Sequence, residues 1–330
     1  MKKYLNLRLK GKAYNASKAK YDANLILQNH GYTPLYIGGL SDNYIKRQIQ
    51  LLFSIISLCW KLSSNDTLFV QIPVVLNVKS ILYRLLGWKK VRLEILIHDL
   101  DSLRDPSASN KLEDYILKRA SVIIAHTNAM KAELIKRGID KDKIKVLYLF
   151  DYLTETTNKY KTSFDNKIIF AGNLEKSIFL RDLSLCNNCQ FFLYGLPSNN
   201  IVKSTNVVYK GKFSPEDISL IEGNWGLVWD GDSIDTCSGL LGEYLKINSS
   251  HKLSLYIACE KPVIVWSKSS LANFVINNNL GIVVDSLYDI DKQIKAITQE
   301  KKHKIMCSLS LYSQNLKNGM MLGEILNTIR

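Results

Sequence analysis

The sequence has little of what usually gives a role away. Its longest uncharged apolar run, Gln48 to Trp60, is 13 residues, whereas a bilayer-spanning helix needs about 20. Met1-Lys2-Lys3 leads into Tyr4-Leu5-Asn6-Leu7-Arg8 without an apolar core or cleavage site. No secretory leader is therefore expected, and the cytoplasm is the expected address. Cysteine is scarce, six in 330 residues, and the only close pair is Cys186-Asn187-Asn188-Cys189. One CxxC with no second pair and no His partner makes a poor zinc site, so reduced thiols are expected. There is no GxGxxG, no P-loop, no metalloprotease helix, no Ser-His-Asp order, no repeat and no low-complexity tract.

Acid is also scarce, but only in one half. Residues 1–150 carry 25 Lys and Arg against 12 Asp and Glu, a net of +13, and residues 151–330 carry 19 against 18, a net of +1. A basic half beside a neutral one points to an anionic partner: nucleic acid, anionic lipid head groups or a lipid-linked phosphate. A merely solvated basic surface is the alternative. The Lys-rich helices lack the interleaved aromatics of single-strand binding, so no nucleic-acid partner is expected.

What is present is an alternation of short apolar runs and helical patterns. Strands are expected at 2–9, 33–37, 66–72, 91–97, 121–125 and 144–147, with helices between them, one of them entered through the small-residue loop Lys10 to Lys20. The helix expected from about Asp42 to Leu62 is apolar almost all round. It suits a core or a subunit interface, which would make a homo-oligomer; a membrane-dipping face is the other reading. Polarity then rises over Thr154 to Asn166, as in a linker, and the pattern restarts. Strands are expected at 167–170, 190–194, 207–209, 225–229, from Pro262, and at 281–284. Helices are expected after Asn173, from Ser214, before and after Asn248-Ser249-Ser250, near 269–277, and as two terminal segments. Such βαβα order argues for an α/β fold of doubly wound parallel sheets.

Two places bunch polar groups at the end of a strand, where open α/β sheets keep their chemistry. One is His98-Asp99-Leu100-Asp101. The other runs from Trp225 to Trp266, where Asp230-Gly231-Asp232-Ser233-Ile234-Asp235 follows a strand and Ser250 offers an N-cap. His251 and Lys252 then sit in the first helical turn. A cation there is mildly unfavourable unless an anion lies near, so the turn would suit a phosphate or diphosphate; plain solvation of Lys252 is the alternative. Each Asp-x-Asp pair could hold a divalent metal on a donor diphosphate, but the pattern is common by chance. Nor does the Asp230 loop form a calcium site, since Ile234 holds its fifth position and no Glu closes it.

Longer segments carry a resemblance. Ile97 to Arg104, Phe150-Asp151-Tyr152-Leu153, Phe170-Ala171-Gly172-Asn173-Leu174, Trp229-Asp230-Gly231-Asp232, Thr236-Cys237-Ser238-Gly239, Tyr244-Leu245-Lys246, His251-Lys252 and Ser254-Leu255-Tyr256 resemble the bacterial β-1,6-galactofuranosyltransferases of lipopolysaccharide O-antigen assembly. More distantly, Phe170 to Asn173, Gly226-Leu227-Val228-Trp229, Lys252-Leu253 and Pro262-Val263-Ile264-Val265 are similar to the glucosyltransferases that extend N-acetylglucosamine on serine-rich adhesins.

The resemblance implies a GT-B fold, two Rossmann-like doubly wound domains facing a cleft. Residues 1–153 would bind the acceptor, 154–166 would link, and 167–330 would bind a UDP-sugar, with the last helix crossing back to the first domain. It implies a hexosyltransferase with no cofactor and no metal, using UDP-galactofuranose and a lipid-linked glycan acceptor at the inner face of the cytoplasmic membrane. UDP-glucose is the alternative donor; a non-enzymatic basic binding protein is the rival class. The resemblance places the diphosphate and uridine near Asn173, Lys176, Tyr194, Ser250 and Lys252, with Ser17 and Lys18 facing the donor. Where the family often has Arg, Lys176 keeps the charge but loses the bidentate fork. Asp230 and Asp232 would line the sugar pocket. Asp99 is the expected general base, with Asp101 and His98 as alternatives.

Overall fold

The computed structural model describes residues 1–9, 18–74, 79–104 and 111–329. The chain divides into two compact units, Met1–Leu147 with Leu322–Arg330, and Tyr148–Met321.

The first unit is built from β1 (Lys2–Leu9), α1 (Lys18–Asn29), β2 (Thr33–Gly39), α2 (Tyr44–Lys61), β3 (Thr67–Ile72), α3 (Lys79–Trp88), β4 (Arg92–Ile97), α4 (Asp101–Arg104), α5 (Lys111–Arg119), β5 (Val122–Ala125), α6 (Asn128–Lys136) and β6 (Ile144–Val146). Its strands form one parallel sheet in the order β2-β1-β3-β4-β5-β6. Leu93, Ile95, Leu96 and Ile97 of β4 and all of β5 are buried, as expected of strands covered on both faces. The chain's end returns to this unit, where the Arg92 guanidinium donates to the Ile329 carbonyl at 2.6 Å.

The second unit contains β7 (Lys167–Ala171), β8 (Gln190–Tyr194), β9 (Val207–Gly211), β10 (Trp225–Val228), α7 (Gly239–Tyr244), α8 (His251–Ala258), β11 (Val263–Trp266), α9 (Ala272–Asn277), β12 (Gly281–Val284), α10 (Ile290–Lys295) and α11 (Gln299–Lys317), and α12 (Met320–Thr328) ends the chain. Its parallel sheet runs β12-β11-β10-β7-β8-β9. The strand order reverses between β7 and β10, the point at which such sheets open a ligand crevice.

That opening has a visible cause. β10 pairs with β7 only at Trp225–Ile168 and Gly226–Ile169. Beyond, the Tyr256 hydroxyl takes over: it accepts from the Ala171 N–H at 2.9 Å and donates to the Leu227 carbonyl at 3.2 Å. Gly226 makes room for the ring, since a Cβ there would lie 2.0 Å from Tyr256 Cγ. Tyr256→Phe strands two buried backbone groups and should cost about 1–3 kcal/mol in urea unfolding. Unchanged stability would show that the bridge is dispensable.

Residues 154–166, expected to link the domains, are hydrogen-bonded along the second unit. Thr154 Oγ1 donates to Glu216 O, Asn158 Nδ2 to Ile218 O and Ile221 O, and Thr162 Oγ1 to Glu260 O. The structure departs from the sequence-based expectations in three places. The same bonds correct the helix expected from Ser214: Asn158 takes carbonyls that a helix would use, and Thr156 Oγ1 takes the Ile218 N–H, leaving turns. After Asn173 the chain makes 3-10 segments, Leu174–Lys176 and Ile178–Leu185, in place of an α-helix. There Asn200 Nδ2 binds the Leu174 and Glu175 carbonyls. Beyond β12, three α-helices replace the two expected.

Candidate functional site

In the first unit, polar groups collect where β3 and β4 end. His98 follows β4, its N–H donating to Ile72 O at 2.7 Å. Its Nε2 lies 2.7 Å from Gln71 Oε1. Gln71 Nε2 donates to the Lys20 carbonyl and to Asn24 Oδ1, so the amide oxygen faces His98 and Nε2 carries the proton. Asp99 Oδ2 accepts from Arg104 NH1 at 2.6 Å, and Asp101 Oδ2 from Lys79 Nζ at 3.0 Å. Burial pushes the Asp99 carboxyl above the usual range, and the charges of Arg104 and Lys20 oppose that shift. The structure thus brings together the three residues expected to act as base.

It also adds Lys20, which the sequence pattern did not single out. Its ammonium donates to Pro73 O at 2.7 Å. Burial lowers its pKa to about 8, against the raising effect of Asp99 and Asp101. The folded protein therefore sheds this proton below the usual 10.5, so Lys20 burial costs stability below pH 8 and the cost is relieved as pH rises toward 10.5. Lys20→Met should lose that gain, so its unfolding free energy, measured at pH 7.5 and 10, should rise less with pH than that of the wild type. Parallel profiles would contradict this.

In the second unit, Lys252 stands at the switch point. Its ammonium contacts Asp230 Oδ1 at 2.7 Å and the Trp229 carbonyl at 3.3 Å, and lies 4.7 Å from the centroid of the Phe170 ring. The side chain passes over Gly172, where a Cβ would sit 3.0 Å from Lys252 Cε. Ser250 caps α8, its Oγ accepting from the Lys252 N–H at 3.4 Å. One cation, one helix N-terminus and the ends of β7 and β10 thus meet, an arrangement that suits a diphosphate. Asn173 opens the turn after β7, its Oδ1 accepting from the Glu175 and Lys176 N–H groups at 3.1 and 3.2 Å, and Lys176 is exposed on that turn.

The remaining expected residues have other placements. Tyr194 is buried, its hydroxyl accepting from the Glu222 N–H at 2.8 Å. Burial raises its pKa to about 12, and its hydroxyl ties β8 to the Glu222 backbone. Asp230 is paired with Lys252, whereas Asp232 is exposed and lies against the Gly239 Cα that starts α7. Lys18 forms an ion pair with Asp22 at 2.8 Å, and Ser17 lies outside the described residues. Cys186 and Cys189 are buried, which pushes their pKa values to about 11 and 12, so both stay as thiols. No three metal-ligating side chains converge among the described residues. Sequence reasoning also missed the stacking of His251 on Tyr152, ring centroids 5.2 Å apart.

Two family models match, "Glucosyltransferase 3-like, N-terminal domain" over residues 3–149 and its C-terminal counterpart over residues 168–329. The β-1,6-galactofuranosyltransferase WbbI of Escherichia coli K12 is 33% identical over 278 residues, 81% of this chain and 80% of its own. The chain belongs to the glucosyltransferase 3-like glycosyltransferases. Among other relatives of this glucosyltransferase 3-like chain, Glucosyltransferase 3 of Streptococcus gordonii is 27% identical over 72% of this chain and 70% of its own. Solved structures share the fold. HepE of Anabaena in complex with UDP has a TM-score of 0.59 at 14% identity, covering 99% of each chain. Sucrose-phosphate synthase of Thermosynechococcus elongatus has a TM-score of 0.61 at 13% identity, with the same coverage. The glucosyltransferase 3-like chain is thus a hexosyltransferase with the two-domain α/β fold of the GT-B glycosyltransferases.

Proposed function

We propose that this hexosyltransferase moves galactofuranose from UDP-galactofuranose, with inversion and without a metal ion, onto a glycan hydroxyl. A β-1,6 linkage to glucose, in O-antigen or another surface polysaccharide, is the product. The seat of Lys252 carries the reading: a cation and a helix N-terminus together at the switch point of the second sheet. The name of WbbI supports the choice of sugar. The acceptor is lipid-linked and is met at the cytoplasmic face of the membrane. UDP-glucose is the second donor, favoured by the Streptococcus relatives and by HepE, solved with UDP-glucose.

Asp99 takes the proton of the acceptor hydroxyl, and the oxygen attacks the anomeric carbon on the face opposite the leaving UDP. Charge developing on the diphosphate is met by Lys252, Lys176 and the positive end of the α8 dipole. Asn173 shapes the turn that carries Lys176. Asp99, Asp101 and Asp230 each already hold a protein cation, which supports chemistry run on ammonium and guanidinium groups. Coupled UDP release from UDP-galactofuranose, UDP-galactose and UDP-glucose tests this, each with and without EDTA. The reading expects turnover fastest with the furanose donor and unchanged by EDTA. Abolition by EDTA, or release from none of the three, would contradict it.

A further inference from the structure

Helix α2 has two apolar faces, and the fold of its unit uses one. Leu51, Ile55 and Leu58 are buried. On the neighbouring side Ile45, Ile49, Leu52, Phe53, Ile56 and Trp60 are exposed, at spacings of four, three, one, three and four that make one continuous stripe along a helix. Phe53 is 68% and Trp60 89% exposed. Trp88, at the end of α3, is 74% exposed. The next residue, Lys89, donates to the Cys59 and Leu62 carbonyls at 2.6 and 3.1 Å. Both indoles thus flank the corner where the ends of the two helices are pinned together.

Basic residues outnumber acids around this stripe. From Asp42 to Glu94 the chain has eight Lys and Arg against three acids, Asp42, Asp66 and Glu94, and Glu94 is buried beside Arg92. Asp66 is 2% exposed and held by Lys3 and the N-terminal amine at 2.8 and 2.9 Å, so it contributes little negative charge to the surface. We propose that this face of α2, with Trp88 beside it, docks on an anionic lipid bilayer, the apolar stripe entering the head-group boundary and the flanking cations meeting lipid phosphates. No described helix is long and apolar enough to cross a membrane, whereas a helix with an apolar stripe, aromatic residues and a basic border lies in the interface plane. A two-fold contact between copies would press two predominantly basic surfaces together, which like-charge repulsion opposes. An anionic leaflet supplies the opposite charge.

The inference goes beyond the transfer reaction and uses none of its residues, so either can fail alone. Full-length protein is sedimented with vesicles of phosphatidylcholine alone, or with about one third phosphatidylglycerol. The wild type is expected to bind the anionic vesicles and to release them as salt rises. The double variant Phe53→Ser, Trp60→Ser should bind about tenfold less while keeping its transfer rate on a soluble acceptor. Lys46→Glu with Lys61→Glu, which leaves the stripe intact, should also weaken binding. Absence of wild-type binding, or full binding by the Ser double variant, would overturn the proposal. A concentration-dependent oligomer that this variant breaks, without vesicle binding, would assign the face to a second copy.

Discussion

Replacing Asp99 by Asn is expected to lower kcat by about 10²- to 10⁴-fold, the usual cost of losing a general base. The donor KM should stay close to wild type, because the Lys252 group lies in the second unit and is untouched. Asn has the shape of Asp and can still accept from Arg104, so the local structure should survive and the loss can be ascribed to chemistry. Burial has already raised the Asp99 pKa, with Arg104 and Lys20 opposing it, which makes the carboxylate a better proton acceptor than an exposed Asp. Activity requires the ionised form. The acid limb of the pH profile should therefore lie above the ordinary aspartate range and disappear in the variant. Asp101→Asn should cost far less, since Asp101 is more exposed and pairs with Lys79. Wild-type turnover to within about tenfold in Asp99→Asn would move the base elsewhere, with His98→Gln the next variant to assay.

Lys252→Ala should lower kcat/KM by about 10²-fold or more, because the ammonium meets charge that grows as UDP leaves. Stability should fall only modestly. Asp230 loses its partner but, 26% exposed beside a Lys252 that is 16% exposed, keeps some contact with solvent, and breaking such a partly buried pair costs about 1–2 kcal/mol. Lys252→Arg keeps the charge in a larger, planar group that must still fit over Phe170 and Gly172, so partial activity is expected. A thermal scan with and without UDP separates the causes. The Ala variant should unfold near the wild-type temperature in buffer and lose most of the upward shift that UDP gives. A full UDP-dependent shift would show that Lys252 does not touch the diphosphate.

The strands and helices with clean periodicity were legible from sequence. Strands β1, β8 and β12 have the bounds read from their patterns alone, and the strand–helix alternation was enough for parallel sheets. What escaped was set by side chains far along the chain. Asn158 and Asn200 capture backbone carbonyls around 218 and 174, and no local propensity reports that. The site was legible in part for the same reason. Lys252 stood out as a cation misplaced at a helix start, and the structure gives its companion, Asp230, 22 residues earlier. Asp99 stood out at a strand end, but Arg104 was read only as part of the same segment. Lys20 gave no signal, because only the fold brings that turn of α1 to the ends of β3 and β4. Tyr194 was singled out for its chemistry, and only the fold shows its hydroxyl holding the Glu222 backbone.

The most direct measurement is the structure of the product. Wild-type protein is incubated with UDP-galactofuranose, an α-linked donor, and a glucose-terminated acceptor, and the purified glycan is read by NMR. Inverting transfer through Asp99 predicts a β-galactofuranosyl residue on the acceptor's primary hydroxyl, with one UDP released for each linkage made. A product that keeps the α configuration would contradict the mechanism, and UDP release without glycan product would contradict the transferase assignment itself.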